Sequence, residues 1–205
     1  MKPYAIDINE TSIRLLKNYW NEKQDNFIQD AKDNGLMHLV CFDNQLFNKT
    51  LGKEFDYQRF NAGNFFSHEH PYYPHVDIFD YENTVNVVVP LICDDPDQKL
   101  IVFDQTYEHK AATWCGYISK REFHGNPAIR KRMCDTIGVE GLTDQSCPNE
   151  LLEHLPYGSD FYYGLTGSVF DWKVGTAIVF NSYNIHCTGQ MKPGYTKVGC
   201  TSFLK

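Results

Sequence analysis

His75-Val76-Asp77 sets an imidazole and a carboxylate two residues apart, and a third donor, His186, follows far downstream. In an extended strand, residues i and i+2 share a face, so such a pair aims both groups at one point. A distant histidine on a neighbouring strand closes the set. Two histidines and a carboxylate on one octahedral face suit a non-haem Fe(II) and leave three positions open. A structural zinc site, by contrast, is closed by four protein ligands. The open positions are where exogenous ligands and O₂ would meet the metal.

The flanking elements must hold these donors in place. Tyr72-Tyr73-Pro74 precedes the pair, and the apolar run 85–92 follows at hairpin distance. His186 comes after Gly175-Thr-Ala-Ile-Val-Phe180 and a short polar loop, Asn181-Ser-Tyr-Asn184. Lys197 stands eleven residues beyond His186, on the last apolar run, 197–203. Patterning predicts strands over 36–42, 56–60, 74–79, 85–92, 100–103, 113–118, 177–181 and 197–203. Turns are expected at Asp94-Asp-Pro-Asp97 and Lys173-Val-Gly-Thr176. Residues 11–32 read as an amphipathic helix, with Ile13, Leu15, Leu16, Tyr19, Trp20, Phe27 and Ile28 at helical spacing and a stop at Asn34-Gly35. The β pattern breaks over 119–163, an insertion with helices expected at 127–137 and 150–155. With no repeat, low-complexity tract or linker, residues 1–205 read as one mainly β (α+β) domain. A front helix leads into an antiparallel sandwich or barrel.

Composition narrows the partners. An apolar fraction of 42% and an aromatic fraction of 15% fit a folded protein, and 205 residues can bury a sizeable core. A formal charge of -7 argues against a nucleic-acid backbone as partner. The basic stretch at Lys120-Arg121 and Arg130-Lys131-Arg132 reads as a solvated helix face. Seven cysteines form no CxxC pair, and no apolar segment follows Met1-Lys2-Pro3-Tyr4. The expectation is a cytoplasmic protein with free thiols, not bound to a membrane.

The HxD pair, the Gly-x-x-x-x-Phe strand, the distal histidine and the basic residue about ten positions later together resemble the 2-oxoglutarate/Fe(II)-dependent oxygenase superfamily. The likeness is to its prolyl-hydroxylase-like and phytanoyl-CoA-hydroxylase-like branches. It spans Tyr72 to Phe203 and is weak in the helix and the insertion. It implies a double-stranded β-helix (a cupin-like jelly roll) with His75, Asp77 and His186 as iron ligands. It implies 2-oxoglutarate as cosubstrate, chelating the iron through its keto and C1 carboxylate oxygens, with O₂ as oxidant. Hydroxylation of an unactivated C–H bond in a small molecule or peptidyl residue would release succinate and CO₂. Halogenases of this superfamily lack the carboxylate, so Asp77 favours hydroxylation or desaturation.

The cosubstrate's buried C5 carboxylate would need a cation and hydrogen bonds, and Lys197 could supply the charge. Lys192 is a rival in a Pro-Gly turn. Relatives with Arg at this place often carry Ser two residues later, where this chain has Gly199. A second partner for the carboxylate must come from elsewhere, and Tyr57, Tyr81 and Asn86 are candidates. Arg121, Arg130, Trp114 and Tyr117 are candidate substrate-pocket residues. Two other readings compete. His68-Glu69-His70 could serve a cupin-type metalloenzyme that does not use 2-oxoglutarate, and a catalytically silent jelly-roll module is the other.

Overall fold

Val85-Asn-Val-Val-Val-Pro-Leu-Ile92 is apolar at nearly every position, a pattern that suits a strand covered on both faces. The computed structural model describes residues 1–34, 44–55, 60–72, 74–77, 85–107 and 139–204. It shows what covers each face. The chain runs β1 (Tyr4–Asp7), α1 (Glu10–Asn34), α2 (Asn44–Leu51), β2 (Phe60–His68), β3 (Val85–Cys93) and β4 (Lys99–Tyr107). It continues through β5 (Val139–Glu140), a short helix α3 (Asn149–Leu152), a 3-10 turn (Ser159–Tyr162), β6 (Gly167–Asp171), β7 (Thr176–Asn181), β8 (Asn184–Thr188) and β9 (Lys197–Leu204).

One sheet has the order β1-β7-β3-β9-β2. The other is built around β4, which pairs with β5, β6 and β8. All of these pairings are antiparallel. Alternation along the strands sorts side chains into three layers. Val87, Val89 and Leu91 of β3, with Val198 and Cys200 of β9, face outward against Leu16 and Trp20 of α1 and Phe47 and Leu51 of α2. Ile101 and Phe103 of β4, with Ile185 and Cys187 of β8, face outward on the other side. They are covered by Val139, Leu151, Leu155 and Leu165. Between the sheets lie Phe66, Val88, Leu100, Val102, Trp172, Ile178 and Phe180. Residues of opposite parity to the outer layers therefore line one shared interior. His186, Lys197 and Asn86 have that parity and are buried.

Asn9 caps α1: its side-chain oxygen accepts from the Thr11 N–H at 2.8 Å. The helix buries Ile13, Leu16 and Trp20 and leaves Leu15 exposed. Tyr19, Trp20 and Phe47 stack around Phe65 of β2 at 5.4, 6.2 and 5.8 Å between ring centroids, docking both helices on the sheet. Gly175, at φ 97°, supplies the left-handed residue of the turn before β7. Among the described residues, no helix is long and apolar enough to cross a membrane.

Several expectations change. His75-Val-Asp77 lies in no extended strand: a single bridge pairs His75 with His186. The run 85–92 forms no hairpin with this pair and instead joins β7 and β9. β2 begins at Phe60, the last residue of the expected strand 56–60, and residues 56–59 fall outside the described residues. β1, β6 and β8 carry no strong strand pattern of their own and are fixed by pairing. The second helix of the insertion is shorter than expected, at Asn149–Leu152. Residues 139–165 cover the outer face of the β4 sheet. The expected strands 36–42 and 113–118, the helix 127–137 and the basic stretch fall outside the described residues.

Candidate metal centre

His75, Asp77 and His186 come together, each offering a donor atom within 4.8 Å of the others. The backbones of His75 and His186 exchange both hydrogen bonds, at 3.0 and 2.9 Å. That closed pair sets the two imidazoles side by side, 4.2 Å between centroids. Val76 turns the other way into the outer core, so alternation holds across the motif without a regular strand. Asp77 Oδ1 lies 3.4 Å from His75 Nε2, and Oδ2 lies 3.3 Å from His186 Nε2. His186 is the floor of the site at 4% exposure, while His75 and Asp77, at 18% and 25%, give it a solvent side.

Supporting groups fix these donors. His186 Nδ1 lies 3.1 Å from the Asn184 carbonyl, which assigns the proton to Nδ1 and leaves the Nε2 lone pair facing the site. Asn184 is itself tied to β4, donating from Nδ2 to the Phe103 carbonyl at 2.8 Å. Asn86 Nδ2 donates to Asp77 Oδ2 at 3.3 Å. Burial and the neighbouring His75 push His186 down, toward the neutral form.

An unprotonated Nε2 and a carboxylate oxygen 3.3 Å apart are two acceptors facing each other. A cation between them resolves the conflict. The donor set, with an open solvent side, fits Fe(II).

Lys197 is the second unusual group. It is only 2% exposed, and among the described residues it has no carboxylate partner. Its Nζ sits 3.9 Å from the centroid of the Trp172 ring and 3.3 Å from Thr188 Oγ1. Burial pushes its ammonium down to about 7. Thr188 lies two residues past His186 on the same face of β8, so the cation and the metal donors share one interior. A buried cation without a counter-ion fits an anionic ligand reaching in from the metal.

Gly199 belongs to this arrangement. A Cβ there would lie 2.6 Å from the Trp172 ring and 2.8 Å from Phe66. The indole fills the space that a Ser at this position would need.

The other predicted residues separate from this site. Lys192 is half exposed and paired with Asp95 at 3.0 Å and Asp97 at 2.8 Å. Asn86, one of three candidates for a second carboxylate partner, donates from Nδ2 to Asp77 Oδ2. His68 is buried and His70 exposed, and the two share no metal-binding group among the described residues. Cys187 and Cys200 face the outer layers, as small core residues. Tyr57, Tyr81, Arg121, Arg130, Trp114 and Tyr117 lie outside the described residues. Trp172, Thr188 and Asn184 were missed. Thr188 and Asn184 become legible once β8 is assigned, because both keep the parity of His186.

Replacing Asn86 with alanine is expected to loosen Asp77 and weaken metal binding about 10–100-fold while the fold persists. Anaerobic Fe(II) titration, with circular dichroism as the control, checks this. Unchanged affinity would remove Asn86 from the supporting role.

No family model and no curated protein sequence matches the chain. Solved structures do. An N-substituted L-amino acid dioxygenase from Burkholderia ambifaria AMMD, in complex with α-ketoglutarate (2-oxoglutarate), is similar at TM-score 0.52 and 12% identity, over 98% of this chain and 81% of that one. The non-haem α-ketoglutarate-dependent epimerase SnoN from nogalamycin biosynthesis is similar at TM-score 0.50 and 11% identity, over 99% and 78%. The chain spans about a third of EvdMO1, at TM-score 0.41 and 13% identity, over 78% of this chain and 32% of that one. The first two likenesses show a shared fold, mostly antiparallel sheets with few helices.

Proposed function

We propose that this chain is an Fe(II)- and 2-oxoglutarate-dependent oxygenase of the double-stranded β-helix class, acting as a hydroxylase on a small molecule or peptidyl residue. One observation carries the reading: an open two-histidine, one-carboxylate site and a buried lysine with no carboxylate partner among the described residues share a single interior. Neither a structural zinc site nor a silent core has use for both.

His75, Asp77 and His186 would hold the metal on one face and leave the opposite face open. Asn184 and Asn86 orient two of these ligands. Lys197 would anchor the distal carboxylate of the cosubstrate. Bound iron would supply the oxidising power, coupling loss of CO₂ from 2-oxoglutarate to attack on a C–H bond with O₂. Phe180, 4.8 Å from the His186 ring, together with Val88 and Val102, keeps the interior apolar and excludes water. The solvent side at His75 and Asp77 is where a substrate would approach. The described cysteines, Cys93, Cys147, Cys187 and Cys200, are free thiols, which supports a reducing, cytoplasmic setting.

The test is succinate release by purified protein supplied with Fe(II), ascorbate, O₂ and 2-oxoglutarate. Succinate should depend on both iron and 2-oxoglutarate and fall to background in His75→Ala. Equal release from wild type and His75→Ala, or none from either, would contradict the proposal.

A further inference from the structure

A row of four residues crosses the larger sheet beside the metal donors. Register sets Asn64 of β2 opposite Thr201 of β9, Thr201 opposite Val88 of β3, and Val88 opposite Ile178 of β7. Opposed residues in an antiparallel pair point to the same face. Val88 and Ile178 lie between the sheets, so Asn64 points there too. Its parity agrees: Phe66, two residues on, belongs to that layer, while Phe65 packs with the helices. The next row of the sheet holds Phe180, Asn86 and Phe203. Phe180 meets the His186 ring, and Asn86 holds Asp77. The row of Asn64 therefore stands one pleat repeat, about 6–7 Å along the strands, from the row that supports the metal donors.

Asn64 Oδ1 is buried and accepts no hydrogen bond among the described residues. Lys197, four residues back along β9, reaches Thr188 instead. A buried carbonyl oxygen without a donor costs stability, so its persistence asks for a reason. The cosubstrate does not supply one. Ionised 2-oxoglutarate offers carboxylate and keto oxygens, all of them acceptors, and O₂ carries no donor either. The molecule left to meet this oxygen is the one to be oxidised.

Building on the oxygenase reading, we propose that Asn64 is a specificity-determining residue whose carboxamide oxygen accepts a hydrogen bond from a neutral N–H or O–H of the substrate. The substrate class is then a molecule with an amide or hydroxyl close to the C–H bond attacked. A plain hydrocarbon would leave the oxygen orphaned. An ammonium would bring a charge that a neutral carboxamide cannot balance in a buried setting.

The test uses two small amides as probes: N-methylacetamide, with one N–H, and N,N-dimethylacetamide, with none. Each is titrated into anaerobic protein loaded with Fe(II) and 2-oxoglutarate, and binding is read from the visible absorption of the chelate. Wild type should bind N-methylacetamide about tenfold more tightly, the value of one hydrogen bond to an otherwise unmet acceptor. Asn64→Leu should lose this preference and keep its affinities for Fe(II) and 2-oxoglutarate. Asn64→Asp, which keeps the shape and the acceptor, should retain the preference. Free of metal and ligand, Asn64→Leu should unfold at a higher temperature than wild type, because the orphaned oxygen is gone. Equal binding of the two amides by wild type, or no binding of either, would overturn the proposal. So would a preference that persists in Asn64→Leu or vanishes in Asn64→Asp, or a lower Tm or weaker 2-oxoglutarate binding in Asn64→Leu. All of these outcomes leave the oxygenase reading standing. Failure of the metal-loaded wild type to bind 2-oxoglutarate would overturn that reading and the proposal with it.

Discussion

Replacing His186 with alanine is expected to abolish stoichiometric metal binding while leaving the metal-free protein nearly as stable as before. Removing a ligand should cost more than the about 10–100-fold that follows from disturbing a ligand's support. The effect on the empty protein is small because two changes oppose each other. The variant leaves a gap behind Phe180 and frees the Asn184 carbonyl. It also removes the Nε2 lone pair that faces Asp77 Oδ2 at 3.3 Å. Thermal unfolding with and without Fe(II) separates the terms. A metal present at a hundred times its Kd stabilises the wild type by about 2.7 kcal/mol, and the variant should gain nothing. A retained metal-dependent rise in Tm would mean that His186 is not a ligand.

Lys197→Met should do the opposite to stability: it raises that of the ligand-free protein and removes its affinity for 2-oxoglutarate. A buried, unpaired cation is held at a cost, and an apolar side chain of similar length relieves it. The pH dependence has a definite sign. The folded protein holds Lys197 at about 7, below the unfolded value of about 10.4. Between these limits the unfolded chain binds the extra proton, so the wild type gains stability as pH rises through that window. The contribution is of the order of several kcal/mol across the whole window, and absent in Lys197→Met. Urea unfolding at a series of pH values, metal-free, gives both curves. A Met variant that is less stable than wild type at neutral pH would show that Lys197 has a favourable partner when no ligand is bound.

His75, Asp77, His186 and Lys197 were legible in the sequence because their chemistry restricts them to a few residue types, and their spacing survives any error in strand ends. The strand β3 was legible for a different reason, its apolar residues at nearly every position, which the buried faces of two layers explain. The local geometry of the HxD pair was not. One backbone bridge between His75 and His186 does the work expected of a strand, and a bridge leaves no periodicity to read. β8 was hidden because Asn184, His186 and Thr188 look like loop residues, though their polarity is what a site-lining face requires. The setting of Lys197 was hidden as well. Trp172 and Thr188 come from separate segments, and only the packing of the two sheets brings them to one cation.

The most direct measurement is 2-oxoglutarate affinity for wild type, His186→Ala and Lys197→Met, each with and without Fe(II) under anaerobic conditions. One metal site and one cation serving the same ligand predict tight, one-to-one, iron-dependent binding by wild type and none by His186→Ala. Lys197→Met should keep its iron and lose the cosubstrate. Wild-type affinity in Lys197→Met, or binding by wild type that ignores iron, would contradict a shared site.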